Sequence, residues 1–120
     1  MRIWISAASA AAFLLAWILI SQLEPNNERG VFSAEVPTPY IHYIPDLTPS
    51  QERRIILVVH GLDASKETMR TISRGLTDAG FEVFAIDLPG HGDSPVGFNA
   101  TLARESVRSV LAQIDGQPIV

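Results

Sequence analysis

The sequence predicts an α/β fold with a mostly parallel sheet and helices on both faces, preceded by one apolar helical segment. Three observations predict it. The aliphatic run Ile55 to Val59 ends at a His60-Gly61 step, as a strand buried on both faces does where it meets a turn. Residues 65–79 then carry apolar positions at helical spacing, and Phe81 to Ile86 makes a second strand-like run. Strand, helix and strand over about thirty residues form a βαβ unit with parallel strands.

The amino-terminal segment comes first in the chain. Ile3 to Ile20 contains only Ser6 and Ser9 as polar members. As a helix it spans ~27 Å, close to the hydrocarbon thickness of a bilayer. A secretory signal is cleaved after a small-x-small site, whereas this run ends on the bulky Trp17, Ile18, Leu19 and Ile20. An uncleaved anchor through residues 3–20 is therefore expected, with a cleaved signal and a secreted product as the alternative. The positive-inside rule keeps Arg2 in the cytoplasm and puts everything after residue 21 outside it. The expected organisation is an anchor or signal over 1–21, a tether over 22–30 and a partial α/β domain over 31–120.

Composition narrows the function classes. The net charge is -4, and only one of the nine bases precedes residue 21. With no basic stripe, no nucleic-acid partner is expected. There is no cysteine, which removes disulfides, thiolate metal sites and a cysteine nucleophile. The tether residues Glu24 to Gly30 are polar and breaker-rich. Strand-like runs follow at Val31–Val36 and Tyr40–Ile44, and Pro37, Pro39 and Pro45 at their borders suit edge strands. His42 stands without a partner at metal-ligand spacing, so it reads as a surface or cross-strand histidine, and no metal is expected.

Within the central unit, Asp63 or Ser65 is placed to cap the helix. Met69, Ile72, Leu76 and Ala79 make its apolar face, Arg70, Arg74 and Asp78 point away, and Gly80 supplies the residue after its end. The turn after the first strand fails the dinucleotide fingerprint, because Gly61 is the one glycine among residues 61–66. Asp87, at a ribose-binding position, is then weak support for a nucleotide site. No cofactor is expected, and nucleotide binding is a remote alternative.

Two motifs carry a resemblance. HGLDAS at 60–65 and DLPGHGDS at 87–94 resemble the His-Gly strand turn and the D-x-P/R-G-x-G-x-S loop of the α/β-hydrolase superfamily. The branch they resemble is that of lysophospholipases, monoglyceride lipases and serine-aminopeptidase-like hydrolases, over residues 40–120 and the first half of the domain. The resemblance implies that the Leu62 backbone N–H is one oxyanion-hole donor, with Gly61 permitting the turn. It also implies that His60 is structural and that the catalytic base comes from later in the chain rather than from His91. Asp93 and Ser94 read as loop-fixing residues.

The nucleophile elbow G-x-S-x-G of that superfamily does not occur in the 120 residues; Gly92-Asp93-Ser94-Pro95-Val96 lacks the second glycine. Asn99 is placed to cap a further helix with Ala103, Val107, Val110, Leu111 and Ile114 as its stripe, ended by Asp115 to Pro118, and Ile119-Val120 looks like the opening of the next strand. The resemblance puts the nucleophile just beyond. The expected function is the N-terminal part of a membrane-anchored hydrolase of small carboxylic esters acting through an acyl-serine, catalytically incomplete as it stands. The alternative is a truncated, non-catalytic module at the membrane.

Overall fold

The computed structural model describes residues 2–23, 26–114 and 118–119, with side chains described across 7–20 and 26–114. Helix α1 covers Arg2–Leu23, longer than the expected run at both ends. Its side chains across 7–20 are all exposed, including Phe13, Leu14, Leu15, Trp17, Leu19 and Ile20. Among the described residues no helix is long and apolar enough to cross a membrane.

Five strands follow, in the spatial order β1-β2-β4-β3-β5. They are β1 (Asn27–Phe32), β2 (Thr38–Tyr43), β3 (Ile55–Val59), β4 (Glu82–Ile86) and β5 (Pro118–Ile119). β3 runs parallel to β4 and to β5, as the βαβ reading requires. β1 and β2 are antiparallel to their neighbours, so the sheet is mixed rather than mostly parallel.

Two sequence expectations are corrected here. Asn27 to Gly30, read as tether, belong to β1, paired with β2 from Asn27↔Tyr43 to Phe32↔Thr38. Their partners, from Tyr43 for Asn27 to Tyr40 for Gly30, lie too far along the chain for a local composition signal to reach. Tether residues Glu24 and Pro25 lie outside the described residues, as do Asp115 to Gln117 and Val120. β2, whose prolines suggested an edge, is interior between β1 and β4. Pro39 fits there because its carbonyl accepts the Asp87 N–H at 2.9 Å, although the ring offers no N–H of its own.

Each face of the sheet is covered by one helix. On one face Ile41, Tyr43, Val58, Val83 and Ala85 pack with Met69 and Leu76. Met69 closes a short 3-10 turn, Lys66–Met69, that leads into α2 (Arg70–Asp78). The inward stripe of α2 differs from the expected one. Ser73 and Thr77 are buried, while Ile72 is 56% exposed and Ala79 is exposed. Lys66 points inward to Asp87 and fixes the rotation of the segment, and the small Ser73 and Thr77 let the helix approach the sheet. On the other face Ile55, Leu57, Phe84 and Ile86 pack with Val110 and Ile114 of the helix α3 (Ala100–Gln113) and its end. Here the expected stripe and cap agree with the structure: Asn99 Oδ1 accepts from Thr101 N–H at 2.9 Å and Leu102 N–H at 3.1 Å. Two such bonds satisfy donors that every helix start otherwise leaves open.

Candidate functional site

Parallel strands β3 and β4 end side by side, since Val59 pairs with Ile86. The turn His60–Asp63 and the loop Asp87–Ser94 therefore emerge together, at the carboxyl edge where open α/β sheets bind ligands. His60 ties the two. Its Nε2 accepts the Leu88 N–H at 3.1 Å, so the ring proton sits on Nδ1, which donates to the Gly61 carbonyl at 2.7 Å. That arrangement uses both nitrogens for structure. The His91 ring stands 4.8 Å from it, with Nδ1 at 3.0 Å from the Pro89 carbonyl.

The turn itself is made differently from the sequence expectation. Gly61 has no left-handed φ, and a Cβ built on it would meet nothing within 4 Å. Its freedom is not what permits the turn. Asp63 supplies the left-handed residue at φ 56°, a region that aspartate tolerates better than most side chains. What Gly61 contributes is open space beside the strand end. Leu62 is 80% exposed, and among the described residues its N–H donates to no acceptor. Ser65, one of the two expected caps, stands at the N-cap of the next segment, and Thr68 three residues on closes a capping box with it. The Thr68 hydroxyl donates to the Ser65 carbonyl at 2.7 Å and accepts the Ser65 N–H at 3.2 Å.

Beneath this edge lies an ion network that sequence reasoning missed. Lys66 is 2% exposed and Asp87 fully buried. Lys66 Nζ donates to Asp87 Oδ2 at 2.5 Å, to Asp93 Oδ2 at 2.7 Å and contacts Glu67 Oε1 at 3.0 Å. Asp87 also accepts the Lys66 N–H at 2.8 Å and the Asp93 N–H at 2.9 Å. A lysine at a helix start ordinarily reads as solvated; the one available signal was Asp87 ending an apolar strand, where a lone carboxylate needs partners. Desolvation works against the Lys66 charge, but its bonds to Asp87, Asp93 and Glu67 outweigh that and hold its pKa above the ordinary lysine range. Gly92 is required by the same network, because at φ 51° a Cβ there would lie within the Asp87 carboxylate. Gly90, at φ 77°, turns against the Phe98 backbone. Ser94 Oγ is spent within its own loop, against Val96.

Two further carboxylates are perturbed. Desolvation raises the Glu67 carboxyl, yet Lys66 and Arg29 outweigh it and bring its pKa down to about 2. Arg53 holds Glu82 below the usual carboxylate range against desolvation, helped by His42, whose Nε2 lies 2.6 Å away. His42 also stacks on Phe84 at 4.1 Å, a cross-strand role. Since the unfolded chain holds these protons more tightly, the stability they contribute is present above about pH 4.3 and is lost as acid titrates the folded pair. Urea midpoints followed by circular dichroism should therefore fall between pH ~5 and pH ~2, and less steeply in Glu82→Gln. An equal slope in wild type and variant would remove Glu82 from the explanation. Among the described residues no group of three or more His, Asp or Glu is placed to hold a metal ion.

Comparison with known proteins agrees with this geometry. The family model described as Serine aminopeptidase, S33, matches residues 50–115, more than half of the chain. No curated protein is significantly similar in sequence. Among solved structures, the chain is similar to a thioesterase domain from the curacin biosynthetic pathway, with TM-score 0.64 and 18% identity over 79% of this chain and 34% of that one. A soluble variant of monoglyceride lipase from Saccharomyces cerevisiae superposes with TM-score 0.62 and 13% identity, over 77% of this chain and 32% of the lipase. A membrane phospholipase A, a bacterial virulence factor, gives TM-score 0.56 and 19% identity over 93% of this chain and 40% of that one. The chain thus spans 32% to 40% of these structures, which share its fold. The paired strand-end motifs, the mixed sheet with a helix on each face and the family match agree: the chain belongs to the Serine aminopeptidase, S33, family of α/β hydrolases.

Proposed function

We propose that this chain is the amino-proximal part of a membrane-anchored α/β-hydrolase that cleaves carboxylic esters, and less readily amides, through an acyl-serine intermediate. The observation that carries the reading is the Leu62 N–H, an unspent backbone donor at the carboxyl end of β3, beside a loop fixed by Lys66, Asp87 and His60. A preorganised donor of this kind stabilises the negative charge that builds on an acyl oxygen when a nucleophile attacks it. The attacking serine, its base and its acid come from residues beyond these 120. β5 supports that arrangement: it lies parallel to β3, on the side away from β4, where the next strand end would face Leu62. Lipase and phospholipase neighbours support an ester substrate of small or lipid type.

Membrane anchoring through residues 3–20, with the rest extracytoplasmic, rests on the exposed apolar side chains of α1 and on Arg2 preceding them. Helices that bury no polar face and pack no core find their partner in lipid. Resistance of the chain to alkaline carbonate extraction is expected, and N-terminal sequencing of the membrane fraction distinguishes an anchor from a cleaved signal.

A coding region that continues past Val120 should show G-x-S-x-G within about a dozen codons, and a fluorophosphonate probe should label that serine. The 120-residue chain alone should stay unlabelled. Labelling of the short chain, or a continuation without the elbow, would overturn the reading. A second reading, a non-catalytic module at the membrane, is favoured by the engagement of Ser94 in its own loop; an unlabelled, inactive longer product would establish it.

A further inference from the structure

The peptide unit that joins Gly61 to Leu62 carries the oxyanion donor, and its own residues do little to hold its plane. Gly61 has no side chain to restrict rotation, and a Cβ built on it would meet nothing within 4 Å. The Leu62 side chain is 80% exposed, so packing does not fix the turn from that side. Rotation about the Gly61 ψ, compensated at the Leu62 φ, would tilt the plane and swing the N–H away from any fixed point. A donor that must reorganise at the moment of reaction loses much of its value, because stabilisation of a developing charge depends on an aim set beforehand.

His60 supplies the restraint. Its Nδ1–H donates to the Gly61 carbonyl at 2.7 Å, and its Nε2 accepts the Leu88 N–H at 3.1 Å. The ring therefore stands between that carbonyl and the loop after β4, and the carbonyl points to the β4 side. In a trans peptide the C=O and N–H share one plane and point in opposite directions, and the 61–62 unit is trans. With its carbonyl held towards Leu88, this unit directs the Leu62 N–H away from β4, across the end of β3. β5 lies on that side of β3. The ring is itself held, since His60 is buried and the bond from Leu88 keeps its proton on Nδ1. We infer that His60 is a positioning residue for the oxyanion donor: through the Gly61 carbonyl it aims the Leu62 N–H at the acyl oxygen, and it touches no substrate atom. The aim rests on the geometry alone; its use in catalysis rests on the ester-hydrolase reading above.

Glutamine and asparagine separate the two bonds of the ring. At residue 60 a glutamine amide reaches the place of Nε2 and still accepts from Leu88, while an asparagine amide reaches the place of Nδ1 and still donates to Gly61. In the protein carried through its nucleophile strand, His60→Gln should lower kcat for a p-nitrophenyl ester by about 10-fold or more, short of the loss of the donor outright. KM should change little. His60→Asn should keep kcat within about threefold of the wild type, even where its urea midpoint falls. Neither substitution should lower kcat further in Leu62→Pro, because the group they aim is gone. Equal losses in the two variants, or a His60→Gln loss that recurs in full on Leu62→Pro, would assign His60 to the fold alone. In the 120-residue chain in detergent micelles, nitrogen NMR should find the His60 proton on Nδ1. The residual dipolar coupling of the Leu62 N–H should change in His60→Gln and hold in His60→Asn. A proton on Nε2, or a coupling unchanged in His60→Gln, overturns the inference, and where a variant does not fold the wild-type tautomer decides. A longer product that hydrolyses no ester sinks the ester reading and leaves the NMR result to decide the aim of the N–H.

Discussion

Lys66→Met is expected to lower the unfolding free energy by about 3–5 kcal/mol, the cost of leaving a buried charge unpaired. Methionine matches the buried stem of the lysine in length and apolar character, so packing is largely kept and the charge alone is removed. Asp87, fully buried, would keep its negative charge with only the Lys66 and Asp93 N–H groups to answer it. Against a typical domain stability of 5–15 kcal/mol, the loss is large. Adding Asp87→Asn should recover part of it, because the stranded charge goes while the amide oxygen still accepts one of the two N–H groups, which bond different carboxylate oxygens. Urea unfolding of the wild type, Lys66→Met and the double variant gives the numbers. A cost under about 1 kcal/mol for Lys66→Met would mean that the network is hydrated in solution and does not hold the loop.

The second large effect concerns chemistry. In the protein carried through its nucleophile strand, Leu62→Pro should lower kcat by roughly 10²–10³-fold, as the loss of one oxyanion donor does. The substitution removes the N–H and little else, since the side chain is 80% exposed and Gly61 before it tolerates the extended backbone that proline imposes. Leu62→Gly keeps the N–H and should keep most of the rate. Steady-state hydrolysis of a p-nitrophenyl ester separates the two, with KM expected to change little. Equal losses in both variants would assign the effect to the leucine side chain.

The parts of the fold that were legible in the sequence are those written locally. Ile55–Val59 and Phe81–Ile86 declare strands by continuous apolar character, and the α3 stripe and its Asn99 cap follow from spacing alone. The strand-end motifs pointed to the turn at Leu62 for the same reason: glycine and proline mark bends wherever they stand. Asn27 to Gly30 were illegible because a polar segment becomes a strand only through its ladder to β2. The α2 face was misread because apolar spacing named Ile72, while Lys66 had to reach Asp87, twenty-one residues on.

By itself, then, the sequence determined the βαβ unit and the glycine-bearing loops, which depend on short-range sterics and hydrophobic periodicity, and the motifs at 60–65 and 87–94 carried the resemblance to the family. Tertiary structure alone decided which residues hold the site together. It buried Lys66 against Asp87 and gave the left-handed turn to Asp63 instead of Gly61. Charge pairing and backbone strain are settled by neighbours distant in sequence, and no local pattern records who those neighbours are.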